Sequence, residues 1–278
     1  MLAWDVCGCN RVPASQMGRE TAVGWRDTLA RSSGDAALSL YFGSGDRPDA
    51  DQLARALGAG GSEGHRARVI HRSEAEPGRA EILAQGLTFD LGGLVPAEPA
   101  ETESDPPVHR YGFAEGPDLS ELGALEIRPG PHLAGAAGMP PVVRTMALVA
   151  AILCDNLPVR AVGWRSARTL MEPRYFSRVV RNWIAGGPFP ALGLTALSVS
   201  DDGTVRSSGL AHFLGQEIQL QAKDGEPIAE TMKIAIRVID LLMRRGPVEQ
   251  AGEIELPDEI LTVEPSRFGK LVLVWRDA

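Results

Sequence analysis

The chain has 278 residues, of which 44% are hydrophobic and 23% are charged, as is ordinary for a soluble globular protein. Acidic residues outnumber basic ones by 36 to 28, and the formal net charge of -8 argues against a general nucleic-acid-binding role, which needs a basic surface. The three cysteines are too few for a disulfide framework, and no apolar run reaches the roughly 20 residues that cross a bilayer.

The amino terminus lacks a basic region followed by an apolar stretch, so the sequence predicts no secretory signal and a cytoplasmic location. Arginine supplies the basic residues except for Lys223, Lys233 and Lys270, and this bias, together with 31 glycines, is typical of a GC-rich bacterial genome. Residues 1–35 show weak periodicity, with one short helix predicted near 22–29.

The first 95 residues predict an amino-terminal α/β lobe with the order β-α-β-β. A helix begins at Pro48 and ends near Gly58, because Leu53, Ala56 and Leu57 repeat at helical spacing before that glycine. Strands bounded by turn residues are predicted at 37–42, 67–71, 82–83 and 87–91.

Residues 96–107 are rich in proline and acidic residues and contain no apolar side chain larger than alanine. Such a segment has nothing substantial to bury, so it predicts an exposed linker or long loop. We expect it to be the boundary between the amino-terminal lobe, 1–95, and a carboxyl-terminal domain, 108–278.

The carboxyl-terminal domain shows stronger patterns, with helices predicted at 140–156, 173–185 and 227–245. The first helix carries no charge from Thr145 to Cys154, so we expect it to be buried in the core. The last has one narrow polar stripe, so it should lie against a sheet. Strands are predicted at 125–127, 160–164, 192–200, 217–221 and 270–275, with a hairpin turn at 201–203.

These elements predict the α+β class, with a mixed or antiparallel sheet packed against helices. In the carboxyl-terminal domain we expect one sheet to pack against both the 141–156 and the 227–245 helix. Two related α/β lobes are the alternative arrangement.

Within residues 160–221, a strand reading Arg-Ala-Val-Gly-Trp precedes a helix that starts with Pro-Arg-Tyr-Phe. A strand, an Asp-Gly turn and the sequence Ser-Gly-Leu-Ala-His-Phe-Leu-Gly-Gln-Glu-Ile at 208–218 follow. This pattern resembles the bacterial family called domain of unknown function 4261, whose members carry a similar glycine-rich segment with an acidic residue near the carboxyl terminus. The resemblance implies a fold and no reaction, because the family has no established activity.

His212, Gln216 and Glu217 lie in a loop that enters a predicted strand. A histidine with a nearby carboxylate could move a proton or bind a metal, although their separation is not that of a helical metal pair. His132 follows a stiff loop at another strand end and could meet His212 there. His132, His212 and Glu217 are therefore candidate catalytic residues, and Gln216 is a candidate ligand-binding residue. The alternative is that all four are ordinary polar residues of turns.

Arg174, Arg178 and Arg181 recur at helical spacing on the face opposite the predicted buried face of their helix. They are candidate ligand-binding residues for a phosphate, a carboxylate or an acidic protein. The alternative is the ordinary solvated face of an amphipathic helix.

Cys7 and Cys9 could supply two zinc ligands, but a tetrahedral site needs four and few partners are available, so we expect no metal. The sequence contains no phosphate-binding loop and no zinc-protease motif, so we expect no cofactor.

These observations favour a non-catalytic binding or protein-interaction module that has a protein partner and binds neither nucleic acid nor membrane. The alternative is a small-ligand hydrolase that uses the His/Glu group. The oligomeric state is left open.

Overall fold

The computed structural model describes residues 37–59, 66–100, 106–223 and 225–276. The regular helices are α1 (Ala50–Ala59), α2 (Pro140–Asn156), α3 (Pro173–Ile184), α4 (Ala211–Leu214) and α5 (Ile228–Arg245). A further four-residue segment, Ala191–Leu194, is interrupted by non-helical φ/ψ at Leu192 and Gly193. The strands are β1 (Leu38–Phe42), β2 (Ala67–Arg72), β3 (Ala80–Ala84), β4 (Leu87–Gly92), β5 (His109–Tyr111), β6 (Gly123–Pro129), β7 (Val159–Trp164), β8 (Thr169–Met171), β9 (Ala196–Val199), β10 (Val205–Ser208), β11 (Glu217–Leu220), β12 (Gly252–Glu255), β13 (Ile260–Pro265) and β14 (Leu271–Arg276). The helix predicted near 22–29 lies outside the described residues.

An eight-stranded sheet combines strands from both sides of the predicted linker. Its order is β2-β3-β4-β6-β1-β7-β8-β5, with antiparallel neighbours except for the parallel pair of β5 and β8. Leu40 of β1 pairs with Leu125 of β6 on one side and with Val162 of β7 on the other. All five residues of β1 are buried, so this strand needs neighbours on both edges. The predicted boundary at 96–107 therefore does not separate two sheets.

The start of the predicted linker is attached to this sheet. Arg47 Nη1 donates hydrogen bonds to the carbonyl oxygens of Gly93 and Ala97, at 2.7 and 3.0 Å. The Ala100 amide donates to the carbonyl oxygen of Ala124 at 2.9 Å. Residues 96–100 lack large apolar side chains, but backbone groups of Ala97 and Ala100 are bonded to Arg47 and to β6, while 101–105 lie outside the described residues.

A six-stranded sheet is built entirely from residues 196–276. Its order is β12-β13-β14-β11-β10-β9, again antiparallel except for one parallel pair, β11 and β14. The predicted Asp-Gly turn joins β9 to β10, where Gly203 has a φ of 78° and the Thr204 amide donates to the Asp202 carboxylate. Glycine suits this turn because it adopts positive φ without strain.

The two long helices pack on different sheets. α2 is buried from Thr145 to Leu153, as its lack of charge predicts, and it contacts β1 and β6 of the eight-stranded sheet. α5 buries one side, including Ala235 and Val238, against β10 and β11 of the six-stranded sheet. The expectation that one sheet packs against both helices is wrong. The strands that α2 contacts belong to the eight-stranded sheet, and the strands that α5 contacts belong to the six-stranded sheet.

One cluster of buried apolar side chains nevertheless contains members from both sheets, including Leu40 of β1, Phe176 of α3 and Val238 of α5. The predicted α+β class, with mixed sheets packed against helices, is confirmed. Among the described residues, no helix combines the length and apolar character that crossing a membrane requires.

Candidate functional site

Glu217 holds together the segment that also carries His212 and Gln216. Its carboxylate accepts hydrogen bonds from the Ser207 hydroxyl at 2.5 Å and from the backbone amides of Leu210 and Ala211 at 3.2 and 3.0 Å. The Ser207 Oγ in turn accepts from the Ile218 amide at 2.8 Å. Burial raises the pKa of Glu217, and the hydrogen bonds that it accepts oppose this rise. The carboxylate therefore fixes the turn between β10 and α4.

His212 lies in an aromatic cluster between the two sheets. Its ring stands edge-on to Trp164 and Phe213, with centroid distances of 5.3 and 5.1 Å. Phe213 also packs against Phe189 at 5.2 Å, and Phe189 meets Trp183 of α3 at 5.4 Å. Trp164 belongs to the eight-stranded sheet, whereas His212 and Phe213 belong to α4. The His212 ring therefore contributes to packing where the sheets meet.

The immediate neighbours of His132 differ from those of Glu217 and of His212. It is exposed, and both ring nitrogens are 3.5 Å from the Oγ1 of Thr88 on β4. Burial, and then repulsion from Glu81, raise the pKa of the neighbouring Asp90, whereas His132 lowers it. Glu217, in contrast, is enclosed by the β10–α4 turn. His132 and Glu217 thus have different immediate partners, Thr88 and Ser207, and their joint catalytic role stays a prediction.

The three arginines of α3 that the sequence analysis names as candidate ligand-binding residues have different surroundings. Arg181 forms an ion pair with Asp155 near the end of α2, with an Nε–Oδ2 distance of 3.2 Å. The Arg178 guanidinium lies 5.6 Å from the centre of the Tyr175 ring, and Arg174 is exposed. This face is cationic and solvated as predicted, and its ligand-binding role stays a prediction.

Gln216 joins two loops through its side-chain amide. The amide nitrogen donates to the carbonyl oxygens of Val248 and Gly269, at 2.9 and 3.0 Å, and the amide oxygen accepts from the Val248 amide at 2.8 Å. The side chain is buried, and three of its four hydrogen-bonding positions are occupied. Gln216, predicted as a ligand-binding residue, therefore has a structural role in shaping the surface beside it.

That surface is a shallow depression of about 490 Å³. Its apolar lining comes from Leu214, Pro247, Val248 and Pro265, and its charged lining comes from Glu249, Arg267 and Lys270. Because the Gln216 amide ties 248 to 269, both walls of the depression are held at a fixed separation.

Phe268 lies at the tip of the β13–β14 hairpin, next to this depression. Its side chain is 83% exposed, the largest exposure among the large apolar residues described. The Arg267 guanidinium lies 5.8 Å from the centre of its ring. We call Arg267, Phe268, Lys270 and the adjacent depression the tip surface. Phe268 is not among the predicted site residues; the signal available in the sequence is a large apolar residue inside a turn of Pro, Ser, Arg and Gly.

Among the described residues, no group of three or more His, Cys, Asp or Glu side chains is placed to hold a metal ion. Cys7 and Cys9 lie outside the described residues. Cys154 of α2 is a free cysteine, and burial raises its pKa, so its thiol is protonated at neutral pH and poorly reactive.

Comparison of the chain with protein-family models, with curated proteins and with solved structures finds no match. The resemblance of residues 160–221 to domain of unknown function 4261 therefore stays a prediction.

Proposed function

We propose that the protein is a non-catalytic interaction module that binds another protein through the tip surface. The observation that carries this proposal is the exposure of Phe268 beside a preformed depression. Exposure of a large aromatic side chain to water is unfavourable, and burying it at an interface contributes roughly 1.5–3 kcal/mol to the free energy of binding. Aromatic and arginine side chains also account for much of the binding energy at protein interfaces.

The charges around Phe268 indicate what the partner presents. Arg267 and Lys270 are both exposed, and of the other residues that line the depression only Glu249 is charged. The chain as a whole has a net charge of -8, so this cationic region differs from its surroundings. A partner surface that combines carboxylates with an apolar side chain would satisfy both the cations and the aromatic ring.

Binding energy at this surface also needs a rigid support. The two Gln216 hydrogen bonds from its amide nitrogen hold the 248 and 269 backbones in place in the unbound protein. A surface that is ordered before binding loses less conformational entropy when the partner arrives.

A displayed library of random twelve-residue peptides tests this function. The full chain is used as bait, and we expect the selected peptides to combine Asp or Glu with an apolar residue. Their binding should fall at least about tenfold in Phe268→Ala and remain unchanged in Val108→Ala, which alters another exposed apolar residue. Failure to select peptides, or equal binding to Phe268→Ala, would contradict the proposal.

The alternative of a hydrolase stays a prediction. The packing of the His212 ring and the hydrogen bonds by which Glu217 fixes its turn support the interaction module instead.

A further inference from the structure

The six-stranded sheet carries an unusual run of negative charge at its β12 edge. Residues 246–266 contain six acidic side chains and no lysine or arginine. Asp258 is paired with Arg237 at 3.0 Å and Glu259 with Arg276 at 2.8 Å. The other four, Glu249, Glu253, Glu255 and Glu264, are exposed, and among the described residues no ion pair reaches them.

Three of these glutamates surround two large apolar side chains on one side of the sheet. Ile260 is 49% exposed and Trp275 is 41% exposed, and both face away from the side that packs on α5. The cross-strand register places Glu255 directly opposite Ile260 and Glu264 opposite Leu273. Trp275 lies opposite Thr262, which is also opposite Glu253. We call Glu253, Glu255, Ile260, Glu264 and Trp275 the acidic face.

We propose that the acidic face of one copy of this chain binds the tip surface of a second copy. This inference rests on the proposed function and names the partner. Phe268 of one copy is buried against Ile260 and Trp275 of the other, and Arg267 and Lys270 meet the surrounding glutamates. The acidic face thus provides the combination of carboxylates and apolar side chains that the tip surface requires.

Phe268 and the apolar residues of the acidic face, Ile260 and Trp275, lie at different ends of the same hairpin, so they cannot meet within one molecule. Phe268 precedes β14, and Trp275 lies near its end. At about 3.3 Å per residue, the intervening strand separates them by roughly 20 Å. The contact is therefore intermolecular and head-to-tail, with different residues contributed by each copy. Repetition of such a contact produces a ring or an open chain rather than a two-fold dimer.

Sedimentation velocity of the full chain over a range of concentrations measures this association. We expect reversible self-association that weakens as salt is raised, because the charged groups are exposed and screened. The face variant Glu253→Lys/Glu255→Lys and the tip variant Arg267→Ser/Phe268→Ser/Lys270→Ser should each weaken association at least about tenfold. The control Glu115→Lys/Glu121→Lys makes the same charge change in an exposed segment near the other sheet and should associate normally. Circular dichroism checks that every variant is folded.

Mixing the two deficient variants separates a head-to-tail contact from other assemblies. The tip variant keeps an intact acidic face and the face variant keeps an intact tip, so the mixture should form a one-to-one pair that grows no further. A chain that is monomeric at all concentrations, or a mixture that forms no pair, overturns the inference. If Phe268-dependent peptides are still selected in that case, the proposed function stands with a different partner; if they are not, both fail.

Discussion

Adding one methyl group at Gly138 should destabilise the junction between the two sheets. Gly138 lies just before α2, and its backbone passes close to α4. An alanine Cβ at this position would lie 2.1 Å from the carbonyl oxygen of His212 and 3.3 Å from the carbonyl carbon. The opposing atoms belong to the backbone, so no side-chain rotation can remove the clash.

The expected cost follows from how far the chain must move. Ordinary contacts of a Cβ begin near 3.4 Å, so α4 or the segment before α2 has to shift by about an ångström in a close-packed region. Overpacking of this kind costs about 1–3 kcal/mol, and a backbone obstacle places Gly138→Ala at the upper end. The shift also disturbs the Trp164–His212 and His212–Phe213 ring contacts.

Urea unfolding followed by tryptophan fluorescence measures the effect. With a denaturant slope of about 1–3 kcal/mol per molar, the midpoint should fall by roughly 1 M. Gly135→Ala is the matched control, since a Cβ there meets no atom within 4 Å and the residue lies in a short 3-10 helix. Its midpoint should be unchanged or slightly higher, because alanine restricts the unfolded chain. Equal midpoints for the two variants would refute the packing argument.

Four other substitutions test the polar contacts. Gln216→Ala removes three hydrogen bonds and should cost about 2–3 kcal/mol, with faster amide hydrogen exchange confined to the two loops that they join. Burial raises the pKa of Glu217 above its ordinary 4.5, so the unfolded chain releases this proton at a lower pH than the folded chain does. The free energy of unfolding should therefore decline as pH rises through the folded-state pKa. Glu217→Gln should remove that decline, as measured by urea midpoints from pH 4 to 8. Arg165→Met leaves the buried Glu126 without its most buried cation and should cost about 3 kcal/mol in urea unfolding, whereas Arg128→Met, which removes a more exposed partner, should cost less than about 1 kcal/mol.

Local pattern accounts for the elements that the sequence predicts well. Proline at the start of α2 and the uncharged run within it predict both its limits and its burial, since these depend on neighbouring residues alone. The pairing of β1 with β6 and β7 is different, because the partners are more than 80 residues away in the chain and nothing in the short strand sequences specifies them. That long-range pairing is why the acidic segment at 96–107 does not divide the eight-stranded sheet.

At the candidate site, too, features set by neighbouring residues could be predicted and features set by distant contacts could not. The glycines around Glu217 indicate a shaped turn, and the alternative that Gln216 and Glu217 are polar residues of that turn agrees with their hydrogen bonds. The exposure of Phe268 could not be predicted from periodicity, because it depends on how far the β13–β14 hairpin projects and on which loops Gln216 joins. β12 and β13 are also missing from the predicted elements, since prolines and acidic residues there mask the alternation of buried Ile254, Leu261 and Val263.

The central position of β1 has a consequence for biosynthesis. This apolar strand is synthesised well before both of its neighbours, which begin at Gly123 and Val159. At a translation rate of 5–20 residues per second, β1 waits roughly 4–16 seconds before the first of them is made. During that interval the Leu-Ser-Leu-Tyr-Phe sequence has two unpaired edges, and an apolar strand with unpaired edges promotes aggregation until its neighbours are made.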